Sequence, residues 1–164
     1  MPYWASLITA FTITQTISQF GKQLQQKWIN DLFFEGKKVG GILCESSNAP
    51  NGGFYLSIGV GINLTNCPED CSKLDGVNRE DLFWALAANL NKNIRIADKD
   101  GPQKLFEQMK FMFLNEKVVI FDHTLTEVLH EGVFIGINEY GHAKLKKEGS
   151  YFPVDVSQGR MRKL

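Results

Sequence analysis

The sequence has no surplus of charge. Its 164 residues carry 18 Lys and Arg against 18 Asp and Glu. The balance also holds regionally, at 11 against 11 over residues 1–114 and 7 against 7 over residues 115–164. The chain therefore lacks the basic surface that would bind nucleic acid or an anionic membrane, and neither is an expected partner. The one compact basic cluster, Arg160, Arg162 and Lys163, reads as a solvated C-terminal end. Cysteine is scarce too. Cys44, Cys67 and Cys71 form an odd set, and no second pair of soft ligands completes a zinc site, so no metal is expected. Reduced structural thiols point to a reducing space such as the cytoplasm. Long apolar runs are missing as well. The first 21 residues carry no side-chain charge, but Thr9, Thr12, Thr14, Gln15, Thr16, Ser18 and Gln19 interrupt them. A membrane span needs about 20 mostly apolar residues, and a signal peptide needs a basic start and a small-residue cleavage site. Neither pattern is present.

With 43% hydrophobic residues the chain can bury a core, as one domain or one domain plus a small appendage. Leu7, Ile8, Phe11, Ile17 and Phe20 predict an amphipathic helix over residues 5–20. A chain that enters directly on a core helix leads us to expect a segment upstream. Short strands follow at 24–28, 32–34, 39–45 and 54–64, joined by Asn30-Asp31, Glu35-Gly36 and the Asn-, Pro- and Gly-rich loop 46–53. After a loop at 65–77, Asn78 is set to cap a helix over 79–95, and Pro102 to open another over 102–114. Strands are expected at 117–121, 125–129, 133–137, 143–145 and 151–156, a density that implies a small antiparallel barrel. The predicted class is α+β: an antiparallel or mixed sheet packed by helices, then a barrel from about residue 115.

Chemistry concentrates in residues 27–45, KWINDLFFEGKKVGGILCE. Lys27 and Asp31 lie four apart across a turn, and Lys38 precedes a strand containing Gly40-Gly41. A lysine beside glycines places an ammonium near an anion where bare backbone comes within reach. The same stretch also reads as a hairpin with solvated lysines. In Gly59-Val60-Gly61-Ile62-Asn63, two glycines weaken an apolar strand unless something lies against it or a bulge or close packing requires them. Asn63 offers the donor and acceptor that fit an adenine edge. No helix opens there, so this is not a dinucleotide-binding fingerprint, and no P-loop is present. His123, His130 and His142 have no companions at metal or triad spacing, which favours structural roles.

Together these residues resemble the biotin protein ligases, also called holocarboxylase synthetases. That family carries Lys-Trp-Pro-Asn-Asp, then a Lys before a Gly-Ile-Leu-like strand ending in Glu, then a Gly-x-Gly-x-Asn strand. Here the corresponding residues are Lys27-Trp28-Ile29-Asn30-Asp31, Lys38 before Val39-Gly40-Gly41-Ile42-Leu43, Glu45, and Gly59-Val60-Gly61-Ile62-Asn63. Ile29 stands where the family has Pro. Gly136-Ile137-Asn138 through Gly141 and the closing Gly159-Arg160-Met161-Arg162 look like the family's SH3-like barrel. The resemblance implies a biotin/lipoate ligase-like catalytic domain over 1–114 and an SH3-like domain over 115–164. The family's upstream glycine- and arginine-rich loop has no counterpart, so the chain is expected to be the second half of the catalytic domain plus the C-terminal domain. No DNA-binding winged helix precedes that part, which argues against a repressor.

The implied reaction joins biotin and MgATP into biotinyl-5′-AMP and pyrophosphate. A lysine of a carboxylase's biotin carboxyl carrier domain then takes the biotin. By resemblance, Lys38 meets the biotin carboxylate and phosphate charge, and Asp31 orients or deprotonates the acceptor amine. Lys27 supports phosphate or Asp31, and Asn30 and Asn63 read the adenine. Gly41, Gly59 and Gly61 let the ligand lie against backbone. A lipoate or octanoate ligase of the same fold and a non-catalytic remnant are the alternatives.

Overall fold

The computed structural model describes residues 4–155 and 157–164; Val156, the end of the strand expected at 151–156, lies outside them. The chain forms two compact units, Met1–Met109 and Lys110–Leu164. Both are built on antiparallel sheets, and the first adds helices, so the class is α+β. Among the described residues no helix is long and apolar enough to cross a membrane.

The first unit opens on α1 (Ala5–Ser18), which is buried on nearly every side. This departs from the expected amphipathic helix because threonine can be buried when its hydroxyl has a partner. Thr12 and Thr16 donate to the carbonyls of Ile8 and Thr12, both at 2.7 Å. Their oxygens in turn accept from Asn93 and Asn89 of α2 (Arg79–Asp100), at 2.9 and 3.0 Å. The sheet runs β1 (Gln25–Lys27), β2 (Asp31–Phe34), β3 (Lys37–Asn48), β4 (Phe54–Ile62), in that spatial order. One face carries Leu32 and Ile42, which pack with Val39 against Ala10, Ile13 and Ile17 of α1 and Leu82 of α2. Ser46–Asn48, expected as loop, extend β3 because they pair with Phe54–Leu56.

Asn78 caps α2 as expected, its Oδ1 accepting from the amides of Glu80 (2.8 Å) and Asp81 (3.1 Å). The helix runs past residue 95 to Asp100 and stops at Gly101, whose φ of 83° only glycine adopts readily. The helix expected over 102–114 is only α3 (Gln103–Phe106). Its end tightens into i→i+3 bonds from Gln108 and Met109, and Phe113 and Asn115 both sit at φ 65°. Residues 107–114 thus leave the helix despite their helical spacing.

The second unit holds β5 (Lys117–Phe121), β6 (Val128–Ile137), β7 (Ala143–Lys147), β8 (Ser150–Val154) and β9 (Arg160–Lys163), in the order β8-β7-β6-β5-β9. The strands expected at 125–129 and 133–137 merge into β6, because residues 122–127 are a tight loop wound around Asp122. The C-terminal basic cluster is not a loose end. It forms β9, paired with β5, with Met161 buried between outward arginines, and Arg162 lies over the Phe121 ring at 6.0 Å.

Candidate active site

The site begins with an irregularity. In the β2–β3 pairing, Leu32 opposes Gly40 but Phe33 opposes Lys38, so Val39 is one residue too many. Such a bulge turns the neighbouring side chains. In a regular strand Lys38 and Gly41 would point to opposite faces. Here the bulge sends Val39 into the core and brings Lys38 onto the face of Asp31 and Gly41. The result is an ion cluster. Lys38 Nζ bonds Asp31 Oδ1, and Lys27 Nζ lies 3.7 Å from Asp31 Oδ2. Lys27 also sits over the Phe33 ring at 5.8 Å. One carboxylate between two ammonium groups leaves one net positive charge. The half-exposed Lys38 is the group an arriving anion reaches.

Beside this cluster the sheet is bare. Asp31 opposes Gly41, Gly41 opposes Gly61, and Leu43 opposes Gly59, so these residues share one face. The register of β3 and β4 is unbroken, so no bulge explains Gly59 or Gly61. Close packing explains only Gly40, where a Cβ would overlap the Gly61 carbonyl oxygen. At Gly41, Gly59 and Gly61 the nearest atoms to an added Cβ would be 3.7, 3.6 and 4.0 Å away, in ordinary contact. The fold's own packing does not demand these three glycines. They keep a strip of backbone uncovered, flanked by Leu43, which is 62% exposed.

The two asparagines brace this surface. Asn30 Nδ2 donates to the Ile42 carbonyl (3.1 Å) while its own carbonyl accepts from the Ile42 amide (2.9 Å). Asn63 Nδ2 donates to the Ser72 carbonyl at 3.0 Å, and its backbone bonds Val39 and Leu74. Of the expected residues, then, Lys27, Asp31, Lys38, Gly41, Gly59 and Gly61 share one sheet face, and Asn30 and Asn63 tie turn and loop to it. The sequence reading missed the loop that holds Lys38 from outside the sheet. Ser72 N donates to the Lys38 carbonyl (2.8 Å), and Cys71 makes a parallel bridge with Lys38. The two cysteines of that loop were the available signal.

The histidines are committed elsewhere: His142 to Asp155 (3.0 Å), His123 to the Ser157 carbonyl (2.7 Å), and His130 to the Phe152 ring. Hydrogen bonds from Ser157, with the charge of His142, hold the Asp155 carboxyl below the usual range. No group of three metal-binding side chains occurs among the described residues.

Comparison with known proteins places this arrangement. Residues 3–63, which contain the ion cluster and all of the glycine strip, match the model of the biotin/lipoate A/B protein ligase family. That stretch carries a domain of this family. Along 129 residues it is 31% identical to biotin–protein ligase 1, chloroplastic, of Arabidopsis thaliana, a match covering 71% of this chain and 35% of that protein. Over 47 residues it is 43% identical to biotin–[acetyl-CoA-carboxylase] ligase of Paracoccus denitrificans, covering 29% of this chain and 20% of that one. The matches thus span about a third or less of these curated relatives. Among solved structures, the biotin protein ligase of Aquifex aeolicus in complex with biotin and ATP superimposes with a TM-score of 0.84 at 20% identity. That match covers 98% of this chain and 71% of that one. At such identity it speaks for the fold alone, which this chain shares over nearly its whole length.

Proposed function

We propose that this chain carries the adenylate-forming and transfer site of an ATP-dependent biotin protein ligase. The observation that carries the reading is the Lys38–Asp31–Lys27 cluster set against a glycine strip that packing does not require. A ligand lying on Gly41, Gly59 and Gly61 brings a carboxylate and a phosphate to Lys38. The ammonium then exchanges Asp31 for the anion, and it stabilises the negative charge that crowds together as the biotin carboxylate attacks the α-phosphorus of MgATP and pyrophosphate leaves. Mg2+ enters as part of the nucleotide substrate. Asp31, released from Lys38 and still near Lys27, orients or deprotonates the carrier-domain lysine that next attacks the mixed anhydride. In this reading Asn30 and Asn63 border the adenine.

The finer assignments belong to the same proposal. Residues 1–114 are the catalytic part, the sheet over 115–164 is an SH3-like barrel, and the setting is cytoplasmic. The three unpaired cysteines support a reducing compartment. The test is pyrophosphate release, by the protein with any residues that flank these 164, with ATP and either biotin or lipoic acid. Release with biotin alone supports the reading; release with lipoic acid alone moves the chain to the lipoate branch of the biotin/lipoate ligase family, and release with neither refutes catalysis.

A further inference from the structure

We infer that Cys67 and Cys71 are a peroxide-sensitive dithiol whose oxidation is transmitted to Lys38. The two residues flank a tight turn, closed by a bond from the Cys71 amide to the Pro68 carbonyl at 3.0 Å. The turn folds the first thiol back on the second residue: Cys67 Sγ lies 3.6 Å from the Cys71 carbonyl oxygen. Both side chains line one open cavity of about 470 Å³, which admits a small oxidant. Cys44 is apart from them, packed against the core from β3.

Burial, then Asp70 and Cys67, push the Cys71 thiol above its ordinary range, while Lys38 pulls it down. Both Cys67 and the Lys38 ammonium are therefore within electrostatic reach of the Cys71 sulfur. The raised pKa slows direct oxidation of Cys71, and the proposed sequence starts at Cys67, which lines the same open cavity. The Cys67 thiolate attacks hydrogen peroxide, an S–O bond forms, the O–O bond breaks, and hydroxide leaves. The Cys71 thiolate then attacks the Cys67 sulfur, forming the S–S bond and expelling the second oxygen as hydroxide. The two thiols lose two electrons and two protons, and peroxide becomes two waters.

Transmission follows from the backbone. Residue 71 is bridged to Lys38, and the next amide, Ser72 N, donates to the Lys38 carbonyl. Drawing Cys71 toward Cys67 strains the strap that holds the bulge bearing Lys38. Regulation of catalysis in this way rests on the ligase reading of Lys38; the disulfide and its local effect do not.

The experiment separates the two. Cleavage after Glu45 and Glu69 puts Cys44, Cys67 and Cys71 on three different peptides. After treatment of the full chain with hydrogen peroxide and no reductant, the peptide 46–69 joined to 70–80 is expected, two hydrogens lighter than the sum. Cys67→Ser and Cys71→Ser each abolish it, and Cys44→Ser leaves it. Hydrogen exchange at the Ser72 amide is expected to quicken at least severalfold on oxidation and to recover with dithiothreitol. Separate peptides, pairing through Cys44, or a disulfide that leaves Ser72 exchange unchanged would each overturn the inference.

Discussion

At the scale of single residues, the glycines separate binding from stability. Gly40→Ala forces a Cβ onto the Gly61 carbonyl, and overpacking of this kind costs about 1–3 kcal/mol. Gly41→Ala and Gly61→Ala meet only ordinary contacts, so they are expected to leave the melting temperature nearly unchanged while weakening ligand binding. Thermal melts with and without biotin and ATP check the contrast. Asp31→Asn is expected to spare adenylate formation more than biotin transfer, because the carboxylate's proposed partner is the acceptor amine. Measuring the two half-reactions separately checks it. The cluster was legible in the sequence, since Lys27, Asp31 and Lys38 carry the family's spacing. The bulge that brings Lys38 to Asp31 was not. It arises where Val39 is drawn into the core, and nothing local in Lys-Lys-Val-Gly-Gly marks a tertiary demand of that kind.

At the scale of elements, α1 and α2 are joined by polar contacts inside the core. Asn93 is only 3% exposed and donates to Thr12. Asn93→Ala is expected to cost about 1–2 kcal/mol, read as a lower denaturant midpoint, because a buried hydrogen bond and its volume are lost together. The loop 122–127 offers a pH test. The amides of Glu127, Thr126 and Thr124, with the Thr124 hydroxyl, hold the Asp122 carboxyl well below the usual carboxylate range. Its folded pKa is depressed, so the stability it lends is present above the unfolded value of 3.8 and is lost as pH falls toward the folded one. Asp122→Asn is expected to flatten the acid limb of a stability-against-pH curve; an unchanged limb would contradict this. The turns at Asn30-Asp31 and Glu35-Gly36 and the starts of α2 and α3 were readable from turn residues, the Asn78 cap and Pro102. Residues 107–114 and β9 were not, since positive φ at Phe113 and strand pairing by a basic tail are imposed by distant partners.

At the scale of the whole molecule, β4 forms an edge of the first sheet, and its nine residues carry no charge and no proline. Phe54, Tyr55 and Val60 are exposed on it, beside an apolar groove lined by Ile58, Leu82, Phe83 and Leu86. Edges of this composition pair with other chains. The isolated 164 residues are expected to self-associate in size-exclusion chromatography as concentration rises, and Tyr55→Lys to reduce it. The central claim is that Lys38, through the bulge, serves adenylate formation. Biotin-dependent exchange of labelled pyrophosphate into ATP, by the protein with any residues that flank these 164, tests it most directly. Lys37 points to the opposite face, its Nζ 3.4 Å from the Glu69 carbonyl, and is the control. Removing a donor from developing charge costs about 3 kcal/mol, so Lys38→Ala is predicted to slow exchange roughly a hundredfold while Lys37→Ala stays near wild type. Equal losses in the two variants would contradict the account and leave only a basic hairpin.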